Sequence, residues 1–246
     1  MRKLFRLPLS ILFALFASPL FAQSEFEGFY VGASLGDKQE TSDWNTNILV
    51  PSSISQYTIA ITPATATPSF NSNAPRFGGY LGYNFGVSQN WILGAEADFS
   101  WANNSNKVNY IPGAYGHGPD NTTVKTTWDS SLRARIGYLV LPDWLLYGAG
   151  GLAMTQASAM ENCSPQGGWC GDGSHSETYS KTMVGWTAGA GVEAVLSKSW
   201  IARLEYRYSD YGSFTHTFLP PNSSDDNNGT IKINSQMVNL GIAYKF

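Results

Sequence analysis

The sequence of 246 residues predicts an all-β fold, an eight-stranded antiparallel up-and-down transmembrane β-barrel with long extracellular loops. Three observations predict it. Eight segments alternate apolar and polar residues with a period of two, the pattern of strands with two unlike faces. The connections between these segments are short and long in strict alternation, as in outer-membrane barrels. The charged residues of the segments all fall on the polar face, which in such a barrel lines the lumen.

The amino terminus predicts a secretory signal peptide. Arg2, Lys3 and Arg6 precede an apolar run over 11–17, and small residues follow up to Ala22. This order of charged, apolar and small residues is that of a cleaved signal, and the run is shorter than the roughly 18 residues that a spanning helix needs. We expect residues 1–22 to be removed and residues 23–246 to form the barrel.

Composition fits a membrane protein built from strands. Charged residues make up 13% of the chain, aromatic residues 14%, and the mean hydropathy is −0.18, too polar for a bundle of membrane helices. Strands that alternate between lipid and lumen average to such values. The net charge of −3 gives no support for nucleic-acid binding, which needs a concentrated basic surface.

The first four predicted strands have clear facing. They cover residues 28–35, 77–85, 91–101 and 128–138. One face carries apolar and aromatic side chains, which we expect to meet lipid: Phe29, Val31, Leu35, Leu81, Tyr83, Phe85, Trp91, Leu93, Phe99, Trp101, Leu132, Ile136 and Tyr138. Aromatic residues at the strand ends fit the two interfacial girdles of a barrel.

The last four predicted strands cover residues 145–154, 183–195, 200–208 and 238–246. The fifth is rich in Gly and Ala, and its facing is left open. In the other three the lipid-facing side chains include Val184, Trp186, Val192, Trp200, Leu204, Tyr206, Val238 and Leu240. Short turns are predicted at 86–90, 140–144 and 196–199, and long polar loops at 36–76, 102–127, 155–182 and 209–237.

Five acids and five bases are predicted to face the lumen, where they would form a charge network. They are Glu96, Asp98, Asp129, Glu193, Glu205, Arg133, Arg135, Arg203, Arg207 and Lys245. Unpaired charges taken out of water cost several kcal/mol each, so balanced charge in a narrow lumen indicates ion pairing. Because the side chains of an eight-stranded barrel are just able to fill it, we expect no open pore.

The two cysteines, Cys163 and Cys170, lie in a Gly- and Ser-rich stretch and predict a disulfide in an oxidising compartment. No metal site is predicted, since His175 alone does not complete a structural zinc site with them. Three histidines, His117, His175 and His216, fall in predicted loops. His117 and His175 are weak haem candidates. No acid is placed to orient His216 beside Ser213, Thr215 and Thr217, so no catalytic residue is assigned.

The carboxyl-terminal strand, with Leu240, Ile242, Tyr244 and Phe246, is similar to the signal read by the barrel assembly machinery. Ser131-Leu-Arg-Ala-Arg-Ile-Gly-Tyr138, Leu146-Tyr-Gly-Ala-Gly-Gly-Leu-Ala153, Gly185-Trp-Thr-Ala-Gly-Ala-Gly-Val-Glu193 and Leu204-Glu-Tyr-Arg-Tyr208 resemble the alphaproteobacterial porin-like outer-membrane surface-antigen family, whose barrel is of the kind in outer membrane protein A and opacity proteins. Gly28-Phe-Tyr-Val-Gly32 and Phe77-Gly-Gly-Tyr-Leu-Gly-Tyr83 extend the likeness to the first two strands.

The resemblance implies a non-enzymatic structural surface protein of the bacterial outer membrane that supports the envelope and presents loops to the environment or host. In some members of that family the protein binds haem or host components, but we expect no resident cofactor here. The partners expected are outer-membrane lipid and lipopolysaccharide, the assembly machinery and loop-bound ligands. Three alternatives stay open from the sequence: a narrow porin for small solutes, a haem-binding surface receptor, and an outer-membrane lipid-modifying enzyme.

Overall fold

The computed structural model describes residues 24–50, 66–114, 119–164, 173–218 and 226–246. Eight antiparallel strands pair in chain order and close into a barrel when β1 pairs with β8. Their bounds are β1 Gly28–Val50, β2 Ser69–Gly86, β3 Trp91–Val108, β4 Asn121–Leu141, β5 Trp144–Cys163, β6 His175–Ser197, β7 Trp200–Phe218 and β8 Asp226–Lys245. The predicted fold class is confirmed. No helix within the described ranges is long and apolar enough to cross a membrane.

An apolar belt surrounds one end of the barrel. It comprises the outward-facing side chains of residues 29–35, 77–85, 91–101, 132–140, 144–152, 184–196, 200–208 and 238–246, and includes exposed Leu81, Leu132, Leu204 and Leu240. The runs have seven to thirteen residues, and all but the shortest, 29–35, reach the roughly 9–11 residues that a tilted strand needs to cross the hydrocarbon layer. The predicted facing is confirmed, and β5 follows it with Leu146 and Leu152 outward.

The belt lies at the end that carries the three short turns, at 87–90, 142–143 and 198–199. We call this the turn end and the opposite one the loop end. The predicted long loops are wrong in extent, because every strand continues past the belt toward the loop end. The connections there reduce to residues 51–68, 109–120, 164–174 and 219–225. Toward the loop end the alternation persists, and the inward side chains become apolar, as at Trp44, Phe214 and Ile231, while the outward ones are polar.

Toward the loop end the barrel wall separates into two four-stranded sheets. Pairing of β2 with β3 stops at Arg76 and Ala102, and pairing of β6 with β7 stops at Trp186 and Asp210. All other neighbours stay paired to the loop end. Sheet A is therefore β7-β8-β1-β2, and sheet B is β3-β4-β5-β6.

An apolar core fills the space between the two sheets; we call it the outer core. Sheet A supplies large side chains, among them Trp44, Phe70, Phe214, Phe218 and Ile231, all buried. Sheet B supplies mainly small ones from β5, namely Ala153, Ala157 and Ala159. Large groups thus pack opposite small ones between the two sheets, as in a β-sandwich.

Candidate functional site

The lumen holds a cluster of buried charges, which we call the ionic layer, inside the belt and directly beyond it toward the loop end. Its inner hub is Glu96 on β3, buried beside three guanidinium groups. Arg203 Nη2 lies 2.6 Å from Glu96 Oε2, Arg135 Nη1 lies 3.4 Å from the same oxygen, and Arg133 Nη2 contacts Glu96 Oε1. Tyr30 Oη also donates to Glu96 Oε2 at 2.7 Å. Four strands thus converge on one carboxylate.

Glu193 and Glu205 extend this hub across β6 and β7. Glu193 Oε1 lies 2.6 Å from Arg203 Nη2, and Glu193 Oε2 lies 2.9 Å from Arg135 Nη2. Glu205 Oε1 accepts from Arg133 at 3.0 Å and from Arg207 Nε at 2.9 Å. Each guanidinium therefore bridges two carboxylates, a geometry to which its five fixed donors are suited.

The loop-side part of the ionic layer is built around Asp98 and Asp129. Arg76 Nη2 lies 2.7 Å from Asp129 Oδ1 and 3.1 Å from Asp98 Oδ1. Arg207 Nη1 lies 3.0 Å from Asp98 Oδ1. Lys38 Nζ lies 3.0 Å from Glu40 Oε2 and 3.8 Å from Asp129 Oδ2. This part ties β1, β2, β3, β4 and β7 together across the lumen.

The structure brings together nine of the ten predicted lumen charges and adds three more. Lys38, Glu40 and Arg76 were missed because they fall in the predicted loop 36–76, although the even-position alternation continued through them. Lys245 lies outside this cluster, contrary to the prediction. It is on the inward side of β8 but at the turn end, where its Nζ lies 4.0 Å from Glu25 and outside the ionic layer.

The completed ionic layer is electrically balanced. Its six acids are Glu40, Glu96, Asp98, Asp129, Glu193 and Glu205, and its six bases are Lys38, Arg76, Arg133, Arg135, Arg203 and Arg207. Each of these charges has an opposite charge within 4 Å. A balanced, paired set is what allows charge to stay buried.

Tyrosines fill the remaining space of the ionic layer, and glycines make room for them. The Arg203 guanidinium lies 4.2 Å from the Tyr80 ring centre, and that of Arg135 lies 4.2 Å from the Tyr147 ring centre. A side chain at Gly191 would collide with the Tyr147 ring, 2.7 Å away. The Gly-rich pattern of the strands is thus a packing requirement. A cavity of about 10 Å³ between Tyr80, Arg203 and Asn239 has room for one water molecule.

Apolar side chains close the lumen on the turn side of the ionic layer. Phe26, Ile92, Leu145 and Ile201 form a buried cluster, the turn-end lid. Asn84 Nδ2 donates to the Phe26 carbonyl at 2.9 Å, which fixes the segment before β1 under the barrel. Along its axis the lumen therefore passes from the turn-end lid to the ionic layer and then to the outer core.

The predicted loop position of His216 is wrong. It lies on β7, its Nε2 is 2.9 Å from Glu177 Oε1 on β6, and its ring stacks on Tyr179 at 3.9 Å. An acid that can orient the imidazole is therefore present. The side chains of Thr215 and Thr217 point outward, however, on the opposite face of β7 and away from this pair.

The other predicted site residues lie near the loop end or outside the described residues. His175 begins β6 opposite Cys163, the last residue of β5, which corrects its predicted loop position. His117, Cys170 and the signal peptide 1–22 lie outside the described residues, so the disulfide, the haem contacts and the cleavage remain predictions. Among the described residues no group of three or more His, Cys, Asp or Glu side chains is placed to hold a metal ion.

The carboxyl-terminal strand seals the barrel at the turn end. Leu240, Ile242, Tyr244 and Phe246 face outward in the belt. The Phe246 N–H donates to the Phe29 carbonyl at 3.0 Å, and their rings lie 5.6 Å apart. The predicted role of this strand in assembly is not addressed by these contacts.

Comparison with known proteins agrees with this architecture. The 31 kDa outer-membrane immunogenic protein of Brucella melitensis is 34% identical over 169 residues, which are 67% of this chain and 63% of that protein. The 22 kDa outer membrane protein of Rhizobium leguminosarum is 31% identical over 172 residues, 69% of this chain and 66% of that protein. The chain thus spans less than two thirds of the length of these relatives.

Among solved structures, the outer membrane protein OprG of Pseudomonas aeruginosa shares the fold with a TM-score of 0.52. The two are 12% identical, and the match covers 91% of this chain and 98% of OprG. The similar sequences carry the names of outer-membrane and immunogenic proteins, which places the chain in the bacterial outer membrane. The model of the outer membrane protein beta-barrel domain matches residues 9–246, and the chain belongs to that family.

Proposed function

We propose that this protein is a closed structural barrel that supports the outer membrane and displays its loop end for interaction with the environment or host. The observation that carries the proposal is the threefold filling of the lumen by the turn-end lid, the ionic layer and the outer core. A solute crossing the barrel would have to displace paired buried charges and a packed apolar core. The same filling makes the barrel rigid, as a structural protein requires.

Planar-bilayer conductance tests the closed lumen. The folded protein is reconstituted, its insertion is verified by protease protection in vesicles made from the same preparation, and current is recorded under a salt gradient. We expect no steady conductance. A steady, reproducible single-channel current in verified insertions would contradict the proposal and favour the narrow porin.

Envelope support is tested in the source bacterium. Deletion of the gene should increase uptake of an apolar dye and sensitivity to detergent, and the wild-type gene should restore the barrier. A deletion strain with an unchanged barrier would refute the structural role even if the barrel is silent in bilayers.

Lipopolysaccharide is the partner that we propose for the outer face of sheet B. Lys107 and Lys125 point outward on neighbouring strands on the loop-end side of the belt, where Lys125 is opposite Ser105. Within the described part of this face no acidic side chain opposes them. Phosphate groups on the sugar headgroup fit two lysines among hydroxyl and amide side chains. Replacing both lysines with Gln should reduce the lipopolysaccharide retained on purification, with Lys232→Gln on sheet A as the control.

The enzyme and haem alternatives gain no support of this kind. His216 and Glu177 form a pair, and the Thr215 and Thr217 side chains lie on the other face of β7. We therefore propose that the protein is not an enzyme, that no cofactor resides in it, and that its loop-end surface is where ligands meet it.

A further inference from the structure

The wall of the barrel has an opening between β6 and β7 at the loop end, which we call the β6/β7 seam. The two strands are paired from Ser197 up to Trp186 and Asp210, and the pairing then ends. Just beyond, β7 carries a register shift between Asp210 and Ser213, and Gly212 takes a positive φ of 74°. Because only glycine adopts this conformation readily, Gly212 redirects β7 away from β6.

The stretch of β6 that borders the seam is a free sheet edge. The Val195 N–H donates to the Asp143 carbonyl, and β5 and β6 then stay in register without interruption to His175. Because backbone groups alternate along an antiparallel strand, the odd-numbered residues of β6 bond to β5. The even-numbered residues Ser176, Thr178, Ser180, Thr182 and Val184 consequently aim their N–H and C=O groups at the seam. Within the described ranges no strand pairs with them.

The opposite opening of the wall, between β2 and β3, is protected. Pro75 has no N–H to offer, and by the same alternation its nitrogen faces that opening. The side-chain amide of Asn106 donates to the Asn71 carbonyl, which by the same alternation faces that opening. Proline and side-chain capping are common protections of an edge strand against pairing. Residues 175–185 of β6 contain no proline.

The side-chain contacts that bridge the β6/β7 seam lie on its inner side. His216 contacts Glu177 and stacks on Tyr179, and Tyr179 also packs against Phe214 at 5.6 Å between ring centres. These contacts hold sheet A to sheet B through side chains. They involve side chains only, and no strand of the described ranges pairs with the seam-facing backbone groups of the β6 edge.

We propose that the β6 edge from Ser176 to Val184 is a docking site for an extended polypeptide strand, which would add a fifth strand to sheet B. The site continues an existing interface, because the β6–β7 ladder within the belt ends where the free edge begins. Strand addition of this kind derives its affinity from main-chain hydrogen bonds. Specificity comes from the side chains that alternate along the added strand.

The seam also defines the chemistry of the incoming strand. Lys181 is exposed although it lies on the inward side of β6, so its side chain occupies the seam. An incoming strand with a carboxylate at the facing position would pair with this ammonium group. Tyr179 and His216 already fill the inner side, which leaves room only for small inward side chains. The strand therefore carries small residues on one face and an acid near one end.

A second copy of this chain fits less well than a separate polypeptide. Two barrels inserted the same way in one membrane present β6 edges that run in the same direction. Their edges would meet in a parallel arrangement, which is slightly less stable per residue than antiparallel pairing. A free polypeptide can take the antiparallel direction.

The probe is a synthetic peptide with the sequence of residues 155–161, Thr-Gln-Ala-Ser-Ala-Met-Glu, since this stretch already pairs with β6 on its other side. It has alanines on one face and a glutamate at its end. Full-length folded protein in lipid nanodiscs is mixed with peptide, and amide hydrogen exchange is followed by residue. We expect exchange at Ser176, Thr178, Ser180 and Thr182 to slow about tenfold at saturation, with no change in β1.

Two variants at one position separate docking from general stabilisation. Ser180→Pro removes a seam-facing N–H, and Pro is tolerated where the N–H faces solvent on an edge. It should fold, keep the heat-dependent gel mobility of the wild type and lose the protection by peptide. Ser180→Ala, which retains the N–H, should keep that protection.

Three outcomes would overturn the proposal. The first is slow exchange of the seam amides in the free protein that does not depend on its concentration, since the edge would then be covered from within. The second is slow exchange that appears only as protein concentration rises, which would assign the edge to a second copy. The third is unchanged exchange at millimolar peptide in protein whose other strands are protected.

Discussion

The two halves of the barrel, inside the belt and beyond it, have opposite polarity on their outer and inner faces. Inside the belt, the outer surface is apolar and the interior is ionic, with Glu96 at its centre. Beyond the belt, the outer surface is polar and the interior is apolar, with Trp44 and Phe214 in its core. In both halves the polarity of the outer face matches the medium that it contacts, lipid or water. The polarity of the interior depends on how the strands of the wall pair. A closed ring of strands satisfies its own backbone hydrogen bonds, whereas two separated sheets need a hydrophobic core between them.

The ionic layer should be the half that is more sensitive to a single substitution. Arg133 is fully buried and contacts Glu96, Asp98 and Glu205. Arg133→Met leaves these carboxylates undercompensated and should lower the free energy of unfolding by about 3–5 kcal/mol. Unfolding of the protein in vesicles by guanidinium chloride, followed by tryptophan fluorescence, measures this free energy. Lys245→Met, at the turn end, is the matched control and should cost under about 1 kcal/mol; equal costs would mean that the pairing described here does not stabilise the fold.

The change of solvent along one strand can be measured on β7. Leu204 faces lipid at the middle of the belt portion 200–208, and Thr215 faces outward beyond it. Leu204→Arg should cost about 2–4 kcal/mol and impair assembly, because a charge would face hydrocarbon. Thr215→Arg should change stability by less than about 0.5 kcal/mol, as expected of an exposed site in water. Similar costs at the two positions would place the boundary of the membrane elsewhere.

The outer core has its own titratable group, Glu161 on β5, which lies beyond the belt. Burial raises the pKa of Glu161 well above its usual range, and the Glu177 charge raises it further, although the Asn227 amide that donates to Glu161 Oε1 at 2.7 Å opposes the shift. The folded state therefore holds a proton that the unfolded chain releases. The stability that depends on this proton is fully present below the ordinary pKa of glutamate and is lost as pH rises through the raised value.

Glu161→Gln should remove this pH dependence. Between the two pKa values the free energy of unfolding of the wild type should fall by up to about 1.4 kcal/mol per pH unit relative to the variant, the limit for one proton. Unfolding midpoints measured for both proteins from pH 5 to pH 9 test it. Parallel pH profiles would show that Glu161 is ionised in the folded protein.

The belt half of the barrel was predictable because its two faces differ strongly in polarity. In β7 the alternation of Leu204 and Tyr206 with Arg203, Glu205 and Arg207 is unambiguous. Beyond the belt the contrast reverses and weakens. In β8, Ile231 and Ile233 alternate with Thr230, Lys232 and Asn234, a period-two signal within a stretch whose Asn and Ser content is typical of loops.

The candidate site was predictable as a set of residues but not as a set of contacts. Inward facing follows from parity, so nine of the ten predicted charges lie in the ionic layer. Their partners follow from the curvature of the wall, which sequence does not report. Arg76 of β2 reaches Asp129 of β4 across the lumen, although the two are 53 positions apart in the chain. The β6/β7 seam could not be predicted from the sequence either, since it depends on where the pairing of neighbouring strands ends.

The pairing of β1 with β8 has a consequence for how the protein is made. Tyr30 is opposite Lys245, so the last ladder joins segments separated by nearly the whole chain. Contacts of such high contact order form late, because the entropy of closing a long loop is lost before any ladder bond compensates for it. Until the final strand arrives, β1 and β8 are both unpaired edges with apolar outer faces, and the chain is prone to aggregate in transit. Safe delivery of this protein to its membrane therefore requires that something else shield these two strands until they meet.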